Sequence, residues 1–253
     1  MRPNTRISII TATWNCEETL LDCFDSVARQ DYANLEHVLV DGMSTDGTLD
    51  LINSRIHQVD KLSSELDIGI YDALNKGIKM SSGDIIGFLH ADDLYASHDV
   101  ISRIADAFSD PTVDAVYGDL LYVDKIDTSK VIRRWQSKAF RRSDLVWGWM
   151  PAHPTLDVRS NWYVKMNGFE NGYSISADYL SVLKLFKQDN FKSVYLPEIF
   201  VKMRVGGSSN KSVQAVIKKS KEDWRALRSC EFSVSGSIQA VVVKNLRKLT
   251  QFI

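Results

Sequence analysis

Along the first half of the chain, short apolar runs alternate with segments of helical period. Arg6 to Thr13 (RISIITAT) is rich in β-branched residues and reads as a buried strand. Glu17 to Arg29 follows as a helix, with Leu20, Leu21, Phe24 and Val27 on one face and Asn15 as its cap. Glu36 to Val40 is a second strand, closed by Asp41-Gly42 and a polar turn from Ser44 to Gly47. Thr48 to Ile56 is helical, Lys61 to Glu65 a short strand, and Ile70 to Met80 a helix. Asp84 to Leu89 is a further strand and ends in His90-Ala91-Asp92-Asp93. Val100 to Phe108 is a helix and Ala115 to Tyr117 a strand.

This alternation predicts an α/β fold with a Rossmann-like, mostly parallel central sheet flanked by helices. Ligands in such sheets bind outside the carboxyl ends of the strands. Three polar clusters fall there: Thr11 to Asn15, Asp41, and Asp92-Asp93. The second half has a different pattern. Leu120 to Val123 and Val131 to Trp135 form a hairpin, and Arg141 to Pro154 is a loop holding Trp147, Trp149 and His153. Ala177 to Phe186 is helical, and Lys192 to Val201 reads as strand and turn. Lys211 to Arg228 and Ser237 to Ile253 are two more helices, a C-terminal helical extension.

Charge divides the chain near residue 210. The whole carries a net charge of -1, but the segment from Lys211 to Ile253 holds nine basic and three acidic residues. The balanced total weighs against a nucleic-acid binder. With 253 residues and 44% hydrophobic content the chain can bury a large core. Three cysteines are too few and scattered for a disulfide framework and fit a reducing compartment. No run approaches the roughly 18 apolar residues that span a bilayer, and no signal-peptide core is present. The expectation is a cytoplasmic protein.

Several side chains are candidates for chemistry. Asp92 and Asp93 follow an apolar strand, where paired carboxylates either hold a hard divalent cation or favour a helix N-terminus. Asp41 either meets a nucleobase or ribose or closes an Asx-turn before Gly42. Asp178 starts a helix on the stripe shared with Val182, Leu185 and Phe186, as a first-turn stabiliser or as a base aimed into a cleft. His153 and its neighbouring tryptophans either face a sugar or pack the loop. Gly206 to Ser209 is either a linker or a lid whose amides meet phosphate. Neither a G-x-G-x-x-G fingerprint nor a P-loop occurs.

Taken together, ISIITATWN (7–15), VDGMSTDGT (40–48), GIYDALNKG (69–77), GDIIGFLHADD (83–93), Ala177-Asp178 and Gly206-Gly207-Ser208 resemble the family 2 glycosyltransferases of the GT-A fold, bacterial polysaccharide-building members above all. The resemblance spans about residues 6–210. It implies a catalytic domain over 1–210, with a nucleotide-sugar half to about 118 and an acceptor half from about 119. It implies a nucleotide-diphosphate sugar donor, UDP-linked by preference, Mn²⁺ or Mg²⁺, and transfer with inversion to a hydroxyl of a glycan or lipid-linked glycan. By the same resemblance Thr11, Thr13, Asn15, Asp41, Asp72, Lys76, Ala91 and Asp92 border the nucleotide sugar. Asp92 and Asp93 hold the metal, and Asp178 is the catalytic base. His153, Trp149, Gly207 and Ser208 lie on the acceptor or diphosphate side. The family's usual D-x-D-D appears as His90-Ala91-Asp92-Asp93, and its D-D-G-S turn as Asp41-Gly42-Met43-Ser44. The alternatives are a metal-dependent nucleotidyltransferase and a catalytically silent nucleotide-sugar-binding module.

The tail, residues 211–253, is basic and amphipathic. In its last helix Ile238, Val242, Leu246, Leu249 and Ile253 form an apolar stripe, with Lys244, Arg247 and Lys248 expected opposite. That pattern suits a helix lying on the inner face of the cell membrane through residues 234–253, or one docked on the catalytic domain or another subunit.

Overall fold

The computed structural model describes residues 5–206 and 213–249. Its first half follows the alternation: β1 (Ile7–Thr13), α1 (Leu20–Ala28), β2 (Leu35–Asp41), α2 (Thr48–Ser54), β3 (Lys61–Ser64), α3 (Ile70–Met80), β4 (Ile85–Phe88), β5 (Asp93–Tyr95) and α4 (Val100–Ala107). The second half contains β6 (Ala115–Val123), β7 (Val131–Trp135), β8 (Leu156–Arg159), α5 (Ser160–Met166), α6 (Ala177–Phe186) and β9 (Ser193–Arg204), then α7 (Val213–Ser229) and α8 (Val234–Leu249).

One sheet joins all the described strands in the order β3-β2-β1-β4-β8-β6-β9-β5, with β7 added to β6. Strands β3, β2, β1 and β4 are parallel, so their carboxyl ends share one edge. β8 enters antiparallel between β4 and β6, and β9 runs parallel to β6. Successive residues face opposite sides of the sheet. Ile10, Ile86 and Tyr117 point into a core built with α3, α5, α6 and the C-terminal helices, while Ile9, Ile85 and Val116 point into one built with α1 and α4. Burial on both faces explains why these strands read as continuous apolar runs.

The sequence pattern missed three short elements. β5, β8 and α5 have three, four and seven residues, too few to display a period. It also broke β6 at Gly118-Asp119. The strand runs through that point with a register shift against β9, and Gly118 lets the Phe200 ring approach, where a Cβ would lie 2.7 Å from it. Asp119 is buried there and accepts hydrogen bonds from Ser137 N (2.8 Å), Tyr195 Oη (2.8 Å) and Arg134 Nη2 (2.6 Å).

The C-terminal helices are packed on the domain. Ala226, Leu227, Cys230 and Ala240 are buried in the same core as Tyr117 and Phe186. Lys244 lies opposite the apolar stripe as expected, but it is that face, not the stripe, that points inward. Its Nζ pairs with Asp223 at 2.9 Å and lies 3.3 Å above the Tyr179 ring. Burial lowers its pKa to about 8. The outer face of α8 carries Ile238, Val242 and Leu246, each about half exposed. Residue 253, the last of the expected stripe, lies outside the described residues.

Two predictions follow from this packing. Gly148 has φ +67°, and a Cβ there would press on the Ala240 carbonyl and sit 3.0 Å from Lys244 Cβ. Gly148→Ala should cost about 2–4 kcal/mol in urea unfolding. Gly172→Ala, at φ +92° but with open space around it, should cost only about 1 kcal/mol. The second prediction concerns neighbouring residues of β2. Burial opposes ionisation of Glu36, but hydrogen bonds from Ser8 and Ser82, with Lys61, outweigh it and bring the pKa from 4.5 to about 2. Burial brings His37 from 6.5 to about 4. As pH falls from 6.5 to 4 the unfolded chain takes up a proton at His37 that the folded one refuses, so stability drops. From 4.5 to 2 the same happens at Glu36. Urea midpoints should therefore fall in both windows, less steeply in the upper one for His37→Gln and in the lower one for Glu36→Gln.

Candidate active site

The carboxyl ends of β1, β2 and β4 and the N-terminal ends of α3 and α6 meet around a set of acidic and imidazole side chains. The turn after β4 comes first. Asp93 N donates to His90 O at 2.9 Å, closing a β-turn with Asp92 at its third position. Side chains from elsewhere take the turn's other carbonyls: Thr19 Oγ1 donates to Ala91 O at 3.0 Å and Arg204 Nη1 to Asp92 O at 2.8 Å. Arg204 is buried and also binds Lys125 O and Asp22. The backbone is thereby fixed and the Asp92 carboxylate is left half-buried, with no hydrogen bond from a described residue.

Asp93 takes the opposite course. It is fully buried on β5, both carboxyl oxygens lack a partner, and burial, then the nearby Asp92 charge, raise its pKa well above the usual range. Asp93 is turned inward by strand alternation while Asp92 is left accessible, so of the expected metal pair only Asp92 is open to a ligand. Ala91 is buried against Leu20, Phe24 and Leu39 and contributes only its place in the turn.

Asp41 is also fully buried. Its carboxylate accepts Thr13 Oγ1 (3.1 Å), Ser44 N (3.1 Å), Ser44 Oγ (2.6 Å) and Ser64 Oγ (2.8 Å). With its acceptor sites taken, Asp41 ties three loops together rather than facing a nucleobase. Thr11, expected with Asp41 at the nucleobase, is buried two residues deeper than Thr13 on the same face of β1, with Oγ1 3.1 Å from His37 Nε2. Asn15, at φ 46°, sews the β1 loop to the next by accepting Thr45 N at 2.8 Å. Ser44 Oγ in turn accepts Asn15 N at 2.9 Å. The groups left open at this corner are Trp14, 68% exposed, and the Asp67 carboxylate, which approaches Gly42 so closely that a Cβ there would lie 2.5 Å from Asp67 Oδ2. Neither was singled out in the sequence; only the D-x-G preceding α3 marks Asp67. Asp72 and Lys76 support its loop: Asp72 accepts Ile68 N at 3.3 Å, and Lys76 Nζ donates to Leu66 O at 2.6 Å.

Asp178 sits in the first turn of α6, half-buried. Tyr71 of α3 donates to Ile175 O at 2.6 Å and lies 3.2 Å from Asp178 Oδ1. Burial, then the Asp178 charge, push the Tyr71 phenol upward, so it stays protonated. A small cavity of about 100 Å³ lies between the start of α3 and residues 171–174. The Asp92 and Asp178 charges both act on His90, so both carboxylates lie within electrostatic reach of that imidazole. His153 stacks on Phe88 at 5.4 Å and lies 6.3 Å from the His90 ring. Burial lowers both histidines, His153 to about 4, so two neutral rings line the site. His90 Nδ1 and His153 Nε2 have no partner.

Trp149 does not reach this space. It is buried among Tyr117, Phe140 and Phe186, with centroids 4.9–5.7 Å apart, and the exposed tryptophan of its loop is Trp147. Gly207 and Ser208 lie outside the described residues. The segments that carry Asp41 and Asp178 are linked through the loop before α3. Gly42 touches Asp67, Asp67 Oδ1 accepts Gly69 N at 2.9 Å at the start of α3, and Tyr71 of that helix reaches Asp178.

A divalent cation fits this donor set only in part. Among the described residues no three His, Cys, Asp or Glu side chains are grouped to hold one. Asp92 offers one hard oxygen donor and His90 an unpartnered nitrogen, the number of protein ligands usual when diphosphate oxygens and water complete the shell.

Comparison with known proteins agrees with this architecture. The PGL/p-HBAD biosynthesis glycosyltransferase of Mycobacterium tuberculosis is 30% identical over 208 residues, 80% of this chain and 78% of that protein. The UDP-Glc:alpha-D-GlcNAc-diphosphoundecaprenol beta-1,3-glucosyltransferase WfaP of Escherichia coli is 31% identical over 99 residues, 39% of each chain. Among solved structures, S. aureus TarS 1-349 in complex with UDP-GlcNAc superposes with a TM-score of 0.71 at 16% identity, over 93% of this chain and 70% of that one. The mannosyltransferase PcManGT from Pyrobaculum calidifontis, in complex with GDP-Man and Mn²⁺, gives 0.66 at 18% identity, over 95% and 69%. The fold is that of the GT-A glycosyltransferases. The model of the family described as Glycosyl transferase family 2 matches residues 8–169, and the chain is a glycosyltransferase of that family.

Proposed function

We propose that this glycosyltransferase moves a sugar from a UDP-linked donor to a hydroxyl of a glycan or lipid-linked glycan, with inversion, in the synthesis of cell-surface polysaccharide or glycolipid. The observation that carries the reading is that Asp92 and Asp178 both lie within electrostatic reach of His90, while Trp14 and the Asp67 carboxylate are open beside Gly42. The UDP-GlcNAc complex of the TarS neighbour and the diphosphoundecaprenol acceptor in the E. coli relative's name support donor and acceptor class.

In this reading the nucleoside lies against Trp14 and Asp67, an exposed ring for stacking and a carboxylate for N–H or ribose hydroxyl groups. Asp92 and His90 are the residues that would hold a divalent cation, Mn²⁺ or Mg²⁺. When bound it would supply charge neutralisation at the departing diphosphate. Asp178 removes the proton from the acceptor hydroxyl as that oxygen attacks the anomeric carbon from the face opposite the leaving group. Tyr71, held protonated and donating to Ile175 O, keeps its hydroxyl 3.2 Å from Asp178 Oδ1 and so borders the base. The neutral rings of His90 and His153 exclude water without adding charge.

The outer face of α7 and α8 is proposed to rest on an anionic membrane surface. Ile217 and Trp224 of α7 and Ile238, Val242 and Leu246 of α8 are exposed beside the seam where Asn245 Nδ2 donates to Ser220 Oγ at 3.1 Å. Lys218 and Lys221 are exposed next to them, while the acidic Glu222 and Asp223 are turned inward. No helix among the described residues is long and apolar enough to cross a membrane.

UDP release from a panel of UDP-sugars with Mn²⁺ tests the donor. Asp178→Asn should lower turnover at least about a hundredfold with UDP affinity kept, and a variant with unchanged turnover rejects the base. Vesicles of phosphatidylglycerol should retain the protein on flotation and release most of it when Ile238, Val242 and Leu246 are all changed to Ser. Equal flotation of both proteins argues against the membrane face.

A further inference from the structure

The segment just ahead of Asp178 is held by α7. Glu222, buried on the inner face of that helix, accepts Ser174 Oγ (2.7 Å), Ser174 N (3.2 Å to each oxygen), Ile175 N (2.9 Å) and Ser176 N (3.0 Å). One carboxylate thus takes the amides of three consecutive residues at the mouth of α6. Ser176, the residue before the helix, makes no side-chain cap of its own. Amides at a helix start point outward and attract an anion. Here the anion is a side chain from a helix more than forty residues later. Three residues on, Arg225 Nη2 donates to Gly172 O at 2.5 Å and its guanidinium lies 3.8 Å above the Tyr173 ring. From the other side Tyr71 holds Ile175 O, and Asn75 pairs with Phe169 through both its amide atoms at 2.7 and 2.9 Å.

We infer that Glu222 is a positioning residue for transfer: through the amides of 174–176 it sets the direction in which α6 presents Asp178 to the acceptor. The inference rests on Asp178 being the base. Asp178 lies two residues beyond the last amide that Glu222 grips, and that turn bears the neighbouring cavity between residues 68–72 and 171–174. Burial would oppose a charge at Glu222, yet the donated hydrogen bonds hold its pKa below the ordinary value, so it is an anion wherever the enzyme works. Without it three amides lose their acceptor, and the segment must turn toward other partners. A base displaced by about 1 Å loses much of its rate although nothing that touches the donor has changed.

The test compares Glu222→Ala, Glu222→Gln and Asp178→Asn. UDP binding sites are counted by calorimetry, and turnover is read as UDP release from whichever of UDP-glucose, UDP-galactose and UDP-N-acetylglucosamine the wild type uses fastest. Expected is a fall in turnover per UDP-binding site of about ten- to a hundredfold for Glu222→Ala. The UDP dissociation constant should stay within about twofold, and the loss should be smaller for Glu222→Gln, which keeps one of the two acceptor oxygens. A purely structural role would lower the number of binding sites or the melting temperature and leave the rate per site unchanged; that result overturns the inference. Should Glu222→Ala fail to fold, Glu222→Gln decides by the same rate per site. An inert Asp178→Asn beside a fully active Glu222→Ala rejects the positioning role alone. A fully active Asp178→Asn rejects the base and the positioning role together.

Discussion

Backbone amides and carbonyls at the carboxyl edge of a parallel sheet have no ladder to satisfy them, and a buried one without a partner is costly. In this protein three buried charges meet that need. Asp41 collects four donors from three loops, Arg204 binds two carbonyls and a carboxylate around the β4 turn, and Glu222 takes the amides ahead of α6. Each charge is multiply hydrogen-bonded, which offsets its desolvation. The turn bearing Asp92 and the segment leading to Asp178 therefore have their shape set by residues remote in sequence. The carboxylates that remain open, Asp67, Asp92 and Asp178, are those these clamps leave for a ligand.

This division of labour sets what was legible in the sequence. The strands of the first half are continuous apolar runs because both faces are covered, and the helices between them keep a clear stripe, so fold class and strand ends could be read directly. The turn at His90–Asp93 and the start of α6 were placed for the same reason. What an acidic residue does once there depends on which way it faces. Asp92 and Asp93 are adjacent, yet one side chain is open and the other sealed, because β5 begins between them and strand alternation turns the second inward. Thr11 and Thr13 are likewise separated from solvent, each by a partner on β2. Asp41 carries no sign in its sequence that Ser44 and Ser64 will saturate it. Asp67, Tyr71, Arg204 and Glu222 escaped notice because their roles are tertiary: each acts on a segment that only folding brings near.

The histidine in place of the first acid of the turn changes the electrostatics more than the geometry. A carboxylate at position 90 would put a further negative charge close to Asp92 and Asp178, with mutual repulsion that only a cation relieves. A buried imidazole held neutral removes that repulsion, as does the second ring of His153 beside it. Around position 90 the charge is then that of Asp92 and Asp178.

The C-terminal helices join two requirements that the sequence presented as one. A basic amphipathic tail reads as a membrane element, but α7 is amphipathic twice over. Its inner face carries Glu222, Asp223, Ala226 and Leu227, and its outer face Ile217, Lys218, Lys221 and Trp224. Glu222 and Asp223 cannot turn outward without abandoning the amides of 174–176 and Lys244. Lys244 in turn cannot leave without stranding Asp223, which burial makes expensive. The outer face is thus left with apolar and basic groups because the acidic ones are consumed inside. An outer face of exposed apolar and basic groups and a clamp on the start of α6 are then two consequences of the same inward pull on α7.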